Sequence, residues 1–367
     1  MKDLLDTLTV WRDRGLGLAL ARVVNLDGSA PREVGAAMAV NAAGEVAGSV
    51  SGGCVEGAVV MEAQQVLAGG ERRIVSFGYS DNEAFAVGLT CGGTIELFIE
   101  PFNDFPEFAQ LSEAIANESP VALATVVSSE VGHRVGAKML VTPEAEPAGS
   151  LGDADLDRVV ARDALGELAA GRSGIRHFGS HGEAREAALA VFIESFAPPP
   201  KMLIFGAVDF TAALARVAKV LGYRVTVCDA RATFATDARF PMADEVAVKW
   251  PDRLLAEVGA SLGSRDAVCI LTHDAKFDVP AVMAALATEV GYIGVMGSRR
   301  THDDRTARLL RAGVDAAGLA RLRSPIGLDI GARTPEETAV SITAEIIGRR
   351  TGRDARALTD TAGPIHD

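Results

Sequence analysis

Apolar and polar positions alternate along the chain in two rhythms, one of strand length and one of helical spacing. Residues 4–15 have helical spacing, and Leu18 to Val24 is an apolar run of strand length. Ala36 to Val40 and Glu45 to Val50 predict a hairpin around Asn41-Ala42-Ala43-Gly44. From Val55 to Leu67, apolar Val55, Val59, Val60, Val66 and Leu67 are separated by Glu56, Glu62, Gln64 and Gln65, which predicts an amphipathic helix. Ile95 to Glu100 reads as a further strand.

The same unit then recurs. Val34-Gly35-Ala36-Ala37-Met38 returns as Val135-Gly136-Ala137-Lys138-Met139, Gly48-Ser49 as Gly149-Ser150 and Phe77-Gly78 as Phe178-Gly179, all at one constant interval. Phe98-Ile99-Glu100 echoes in Phe192-Ile193-Glu194. Several matches in one order predict a duplicated α/β unit, over about 18–102 and 121–196. The copies differ at one turn: Ser51-Gly52-Gly53-Cys54 in the first stands where the second has a capped helix start at Leu151-Gly152-Asp153-Ala154, ahead of a helix over Leu156 to Leu168.

Ala197-Pro198-Pro199-Pro200 marks a linker between a first domain (1–197) and a second (201–350), with a loose tail over 351–367. In the second domain Met202–Phe205, Val225–Cys228, Glu245–Val248, Ala267–Leu271 and Tyr292–Val295 are β-rich runs. Helical segments at 210–221, 277–288 and 302–312 separate them, the pattern of a doubly wound, Rossmann-like parallel sheet. Thr334-Pro335-Glu336-Glu337 carries the start signals of a last helix.

Composition narrows the classes. With 367 residues, 48% hydrophobic and 23% charged, the chain reads as a soluble protein, and a net charge of −13 argues against nucleic-acid and anionic-membrane partners. No apolar run approaches the roughly 20 residues of a membrane span, which predicts a cytoplasmic location. Four cysteines, two inside strand-like runs at Cys228 and Cys269, predict reduced thiols rather than a disulfide framework or a metal site. His133, His177 and His181 match no metal spacing.

Chemistry concentrates in glycine-rich turns. Ser51-Gly52-Gly53-Cys54 places a thiol at a helix start, where unbonded N–H groups and the helix dipole favour a phosphate or a thiolate. A second cysteine, Cys91, lies beside Gly92-Gly93, and Gly28-Ser29-Ala30-Pro31-Arg32 is a loop of small residues with one arginine. In the second domain Gly206-Ala207-Val208-Asp209-Phe210-Thr211 keeps only the first glycine of a dinucleotide fingerprint. Val208 should obstruct a pyrophosphate and Thr211 should loosen helix–strand contact, so NAD(P) binding is not expected, although Asp229 stands where a ribose-binding carboxylate belongs. Three more turns follow strands of that sheet: Leu271-Thr272-His273-Asp274, Gly297-Ser298-Arg299-Arg300-Thr301-His302, and the run from Ser324 through Asp329 to Gly331. The second offers an anion grip of one hydroxyl and two guanidiniums.

Together these motifs resemble the xanthine dehydrogenase accessory (XdhC/CoxI) family. G-S-A-P-R at 28–32, S-V-S-G-G-C-V-E at 49–56 and C-G-G at 91–93 are similar to its N-terminal region. L-T-H-D at 271–274, G-S-R-R-T-H at 297–302 and P-I-G-L-D-I-G-A-R-T-P-E-E at 325–337 are similar to its Rossmann-like domain. The resemblance implies a chaperone that holds the molybdenum cofactor, protects it during sulfuration and passes it to a molybdenum hydroxylase apo-enzyme. A cysteine desulfurase as a further partner and a homodimer are implied with it. The cofactor-binding set would be Ser29, Arg32, Ser51, Gly52, Gly53, Cys54, Glu56, Cys91, Gly92, Gly93, Gly206, Asp229, His273, Asp274, Ser298, Arg299, Arg300 and Asp329. The competing readings are an NAD(P)-dependent oxidoreductase, a thiol-dependent sulfurtransferase using Cys54, and an interaction scaffold with structural cysteines.

Overall fold

The computed structural model describes residues 1–28, 30–78, 93–102, 105–130, 132, 135–183, 186–272 and 274–362. They form two compact units, divided between Pro198 and Pro199.

The first unit contains two five-stranded sheets of the same topology. Its first half runs α1 (Leu5–Asp13), β1 (Leu18–Asp27), β2 (Ala37–Asn41), β3 (Val46–Gly48), α2 (Glu56–Gly69), β4 (Arg73–Phe77) and β5 (Thr94–Pro101). The second runs α3 (Phe108–Ala116), β6 (Val121–Ser129), β7 (Lys138–Val141), β8 (Ala148–Gly149), α4 (Ala154–Ala170), β9 (Gly174–Phe178) and β10 (Leu189–Phe196). The orders β3-β2-β1-β5-β4 and β8-β7-β6-β10-β9 correspond element for element, so the repeat legible in the sequence is a repeat of fold. Gly48 and Gly149 show why the glycines recur: both have positive φ, and a side chain would collide with the carbonyl oxygens of Ala37 and Lys138 respectively.

Both faces of each central strand are covered, which is why Leu18 to Val24 is apolar on both faces, apart from the buried Arg22, instead of alternating. On β1, Ala19, Ala21 and Val23 pack under α2 with Val59, Ala63 and Val66. On β6, Ala122, Ala124 and Val126 pack the same way under α4. The opposite faces join Leu18, Leu20, Val121 and Leu123 to α1 and α3 around Phe102, Phe105 and Phe108, and bring Val24, Phe98, Val127 and Phe192 into one cluster.

At the centre of that second layer lies a buried ionic network that the repeat explains. Met38 and Met139 are equivalent, and they pair with Ala21 and Ala124, so Arg22 corresponds to Thr125. Arg22 donates to Glu100 at 2.7 Å, to Glu194 at 3.3 Å and to Thr125 at 3.3 Å, and so bonds the two equivalent carboxylates of the F-I-E echoes. Lys138 Nζ donates to Glu100 at 2.5 Å and to the Gly136 carbonyl at 3.2 Å. In the other half the Met1 amino group does the same job, donating to the Gly35 carbonyl at 3.1 Å and lying 3.7 Å from Glu194. Burial holds the Lys138 pKa below the usual lysine value against the opposing pull of Glu100.

The second unit is a six-stranded parallel sheet in the order β13-β12-β11-β14-β15-β16. Its elements are β11 (Lys201–Phe205), α5 (Asp209–Val220), β12 (Arg224–Cys228), β13 (Glu245–Ala247), α6 (Pro251–Val258), β14 (Ala267–Ile270), α7 (Ala275–Leu286), β15 (Tyr292–Val295), α8 (Arg299–Arg311), α9 (Ala316–Arg321), β16 (Leu322–Arg323) and α10 (Pro335–Thr351). This is the 3-2-1-4-5-6 strand order of a Rossmann sheet, with its crevice at the switch between β11 and β14. Thr334 opens α10 through a capping box with Glu337, as the sequence signals require. Among the described residues no helix is long and apolar enough to cross a membrane.

Candidate functional site

The antiparallel register of the first sheet brings its motif loops to one edge. β1 and β3 end there and β2 and β5 begin there, so the loop after Asp27, the turn after Gly48 and the stretch ending at Gly93 leave the sheet together. Gly28 has φ +73°, and a Cβ on it would lie 3.4 Å from the Cα of Gly93, so these two residues, one from the G-S-A-P-R motif and one from the C-G-G motif, are neighbours. Ser29, Cys91 and Gly92 lie outside the described residues. Arg32 is exposed and lines a groove of about 410 Å³ with Met1, Lys2, Asp3, Glu33 and Gly48, so residues of both charges border one space.

At the Ser51-Gly52-Gly53-Cys54 turn the structure corrects the expected open anion cradle. The helix starts at Glu56 with Val55 as N-cap, and the Glu56 carboxylate folds back into the nest of N–H groups. It accepts from Ser49 Oγ at 2.6 Å, Ser51 N at 2.9 Å, Gly53 N at 2.9 Å, Val55 N at 3.2 Å and the Ser51 hydroxyl. Burial alone would raise the Glu56 pKa, but these bonds outweigh it and take it down to about 2. Gly52 and Gly53, at φ +77° and +122°, let the chain turn around that carboxylate. A phosphate does not need to be invoked there; Glu56 holds the turn and Cys54 rides on it, half-buried against the α2–sheet core.

In the second copy Asp157, the equivalent of Glu56, accepts from Ser150 Oγ and Leu151 N, each at 2.7 Å. Asp153 caps α4 by accepting from Asp155 N and Leu156 N, and pairs with exposed His181 at 2.9 Å. The carboxylate that organises the turn is therefore common to both copies, whereas the paired glycines and the thiol belong to the first alone.

In the second unit the turns after β11, β12, β14, β15 and β16 share the carboxyl edge. Gly206, at φ +111°, sits where a side chain would press on Leu271 and Thr272, at the switch-point crevice. Asp229 does not stand open for a ribose: it accepts from Ala207 N at 2.8 Å and from Arg231 at 2.9 and 2.8 Å, so an internal carboxylate fills the N–H of the phosphate turn. Burial opposes this, yet the Arg231 and backbone bonds leave its pKa below the ordinary aspartate value. Thr211 does not loosen the turn as expected, because its buried hydroxyl donates to the Gly206 carbonyl and closes the first turn of α5. Val208 is half-buried and packs against the core. Sequence reasoning does not single out Arg231; its signal is a cation two residues beyond a strand-terminal aspartate.

Asp274 caps α7 through Lys276 N and pairs with Lys276 Nζ at 3.0 Å, while its neighbour His273 lies outside the described residues. Ser298 caps α8 by accepting from Thr301 N at 3.1 Å, which leaves Arg299 and Arg300 exposed in the first turn. Asp329 is exposed. A buried pair that no sequence motif marks braces this edge: Arg305 donates to Asp278 at 3.1 Å, Met296 O at 2.8 Å and Ser324 Oγ at 2.9 Å, tying α7 to the turns after β15 and β16. Cys228 and Cys269 are buried in strands, and burial pushes the Cys228 thiol up to about 12 and raises that of Cys269 as well.

Comparison with known proteins gives a consistent result. Residues 202–346 match the XdhC Rossmann domain, and residues 11–78 and 114–179, one segment in each copy of the repeat, match the XdhC and CoxI family. A Bacillus subtilis protein, described as a probable subunit of xanthine dehydrogenase, is 30% identical over 90% of this chain and 92% of its own. The Escherichia coli molybdenum cofactor insertion chaperone PaoD is 25% identical over 92% of this chain and 84% of its own. A Bacillus halodurans crystal structure described as a xanthine dehydrogenase is 26% identical, covers 98% of this chain and 97% of its own, and superimposes with a TM-score of 0.64.

Proposed function

The chain belongs to the XdhC and CoxI family, and from that premise we propose that it is a maturation factor that binds the molybdenum cofactor and delivers it to an apo molybdenum hydroxylase of the xanthine or carbon monoxide dehydrogenase type. One observation carries the reading: two copies of a fold share their strands, helix and turn-organising carboxylate, and only one of them also presents a thiol on a Gly-Gly turn at the motif edge. A carrier needs a site that its scaffold does not.

The residues fit the cargo in part. The cofactor, when bound, supplies a dithiolene-held metal and a phosphate. Taken unit by unit, the first offers the Arg32 guanidinium beside its groove for phosphate and Cys54 as a soft ligand for the metal–sulfur end, and the second offers the exposed Arg299 and Arg300 for phosphate. Cys91, Gly92, Gly93, Ser29 and His273 are kept as candidate contacts, with Asp274, Ser298 and Asp329 at the second edge. Glu56, Ser51, Gly52 and Gly53 hold Cys54 in place, and Gly206 and Asp229 shape the crevice. The Asp229–Ala207 bond argues against a dinucleotide oxidoreductase, because a pyrophosphate at that turn would have to displace a carboxylate that is already bonded.

The same proposal has the protein cytoplasmic, homodimeric and served by a cysteine desulfurase. Light scattering near twice 38.2 kDa would agree with the dimer, and a monomer at every concentration would exclude it. Mass spectrometry of chain purified from a cofactor-producing host tests the reading as a whole: pterin should co-purify, and its complete absence would refute the carrier.

A further inference from the structure

Resting on that reading, we infer that the carboxyl edge of the second unit carries a stacking site for a fused 2-amino-4-oxopyrimidine ring, the ring system shared by pterins and guanine. Trp250 would be its platform and Asp274 its edge acceptor.

Trp250 follows β13 and precedes Pro251 at the start of α6, and Phe277 lies in the first turn of α7. These two helices cover one face of the sheet, and their starts bring the two rings to a centroid distance of 4.7 Å at 43°. A tryptophan used for packing is buried, as Trp11 is at 8% exposure; Trp250 is 47% exposed. Lys276 links the Phe277 ring to the carboxylate, with Nζ 4.9 Å from the Phe277 centroid and 3.0 Å from Asp274.

The charges decide what such a site selects. Lys276 is paired with Asp274 and Arg231 with Asp229, so this part of the edge is close to neutral and has no surplus for an isolated phosphate. Its distinctive offer is an aromatic face near an exposed carboxylate whose two oxygens accept from Lys276 N and Nζ and keep their solvent-facing lone pairs for a further donor pair. A 2-amino-4-oxopyrimidine presents that pair with a π-face and with adjacent N–H and NH2 donors, which one carboxylate can accept together. Adenine has no such edge, and a bare phosphate has no face.

The test titrates the full-length chain with neopterin, GMP, AMP and inorganic phosphate, reading Trp250 fluorescence against a Trp250→Phe control and repeating by equilibrium dialysis. Neopterin should bind saturably, with phosphate inert and AMP at least several-fold weaker. Trp250→Ala should lower neopterin affinity by roughly tenfold or more, and Trp250→Phe, which keeps an aromatic face, by much less. Asp274→Asn retains an N-cap but not the charge, and should lose neopterin affinity while α7 stays folded. GMP binding tighter than neopterin would make guanine nucleotide the source of the ring. AMP binding as well as neopterin, or unchanged affinity in both Trp250→Ala and Asp274→Asn, would overturn the site, as would protection of Trp250 only on adding an apo-hydroxylase, which marks a protein-docking surface. If Trp250→Ala purified from a cofactor-producing host retains as much pterin as wild type, this site fails and the carrier reading stands. If the wild type retains none but GMP still quenches Trp250, the carrier reading fails and the ring site stands in its guanine form.

Discussion

The two halves of the first unit share one fold and differ at their interface and at one turn. Each has a five-stranded antiparallel sheet under one helix and a turn held by a carboxylate, Glu56 in one and Asp157 in the other. At the sheet interface they diverge in a complementary way, with Arg22 opposite Thr125 and Lys138 opposite Ala37, so that each half lends a cation to carboxylates that both halves keep. At the motif edge they diverge outright, Ser-Gly-Gly-Cys against an aspartate cap. A duplicated unit thus separates what the fold demands, present twice, from what it does not demand, present once.

The largest expected effect lies in the shared interface. Arg22→Leu removes the guanidinium that both Glu100 and Glu194 depend on and should destabilise the first unit by about 3–5 kcal/mol, because it leaves buried carboxylates under-paired. Thr125→Val, at the equivalent position, should cost far less. Urea unfolding followed by Trp11, which sits in the first unit, reads both; equal losses would mean that the interface is not organised by Arg22.

Next come the turns. Glu56→Gln should cost about 1.5–3 kcal/mol, the scale of hydrogen bonds to a charged group, and Asp157→Asn should cost less because Asp157 has fewer donors. The pH dependence has a definite sign. The Glu56 pKa is depressed in the fold, from 4.5 to about 2, so its contribution is present above about pH 4.5 and fades as pH falls towards 2. The stability gap between wild type and Glu56→Gln should close over that window; a gap independent of pH would show that the charge is not what holds the turn.

Smaller still is a rate difference among thiols. Timed alkylation of the native protein should label half-buried Cys54 ahead of Cys228 and Cys269, whose burial in strands both shields them and raises their pKa. Faster labelling of a strand cysteine would erase the distinction between a presented thiol and packed ones. The weakest signal is predicted for NAD and NADP, which should give no measurable heat in calorimetry while Asp229 holds the Ala207 N–H; micromolar binding would mean the plug yields.

What can be read from residues alone follows a physical line. Strand and helix positions, the repeat and the doubly wound sheet are legible because periodicity and glycine placement are local or recur at fixed intervals. The closing of the two anion turns is not, since Glu56 and Asp229 look the same in sequence whether they face a ligand or their own backbone, and only side-chain reach decides. Arg22 is hidden in an apolar run whose charge makes sense only when a second sheet, built from the other copy, brings Glu194 to it. Thr211 misleads because its hydroxyl can supply the close helix–strand contact that a glycine would otherwise allow.

The most direct test transplants the second copy's turn into the first, in the register that makes Asp157 the equivalent of Glu56 and therefore sets 51–55 against 152–156 rather than one residue earlier: Ser51→Gly, Gly52→Asp, Gly53→Ala, Cys54→Asp and Val55→Leu together, leaving Glu56 in place. The account predicts a folded chain that, purified from a cofactor-producing host, still carries pterin but holds markedly less molybdenum per pterin than wild type. A grafted chain with the wild-type ratio would contradict it, because the feature present in only one copy would then be as dispensable as the fold suggests.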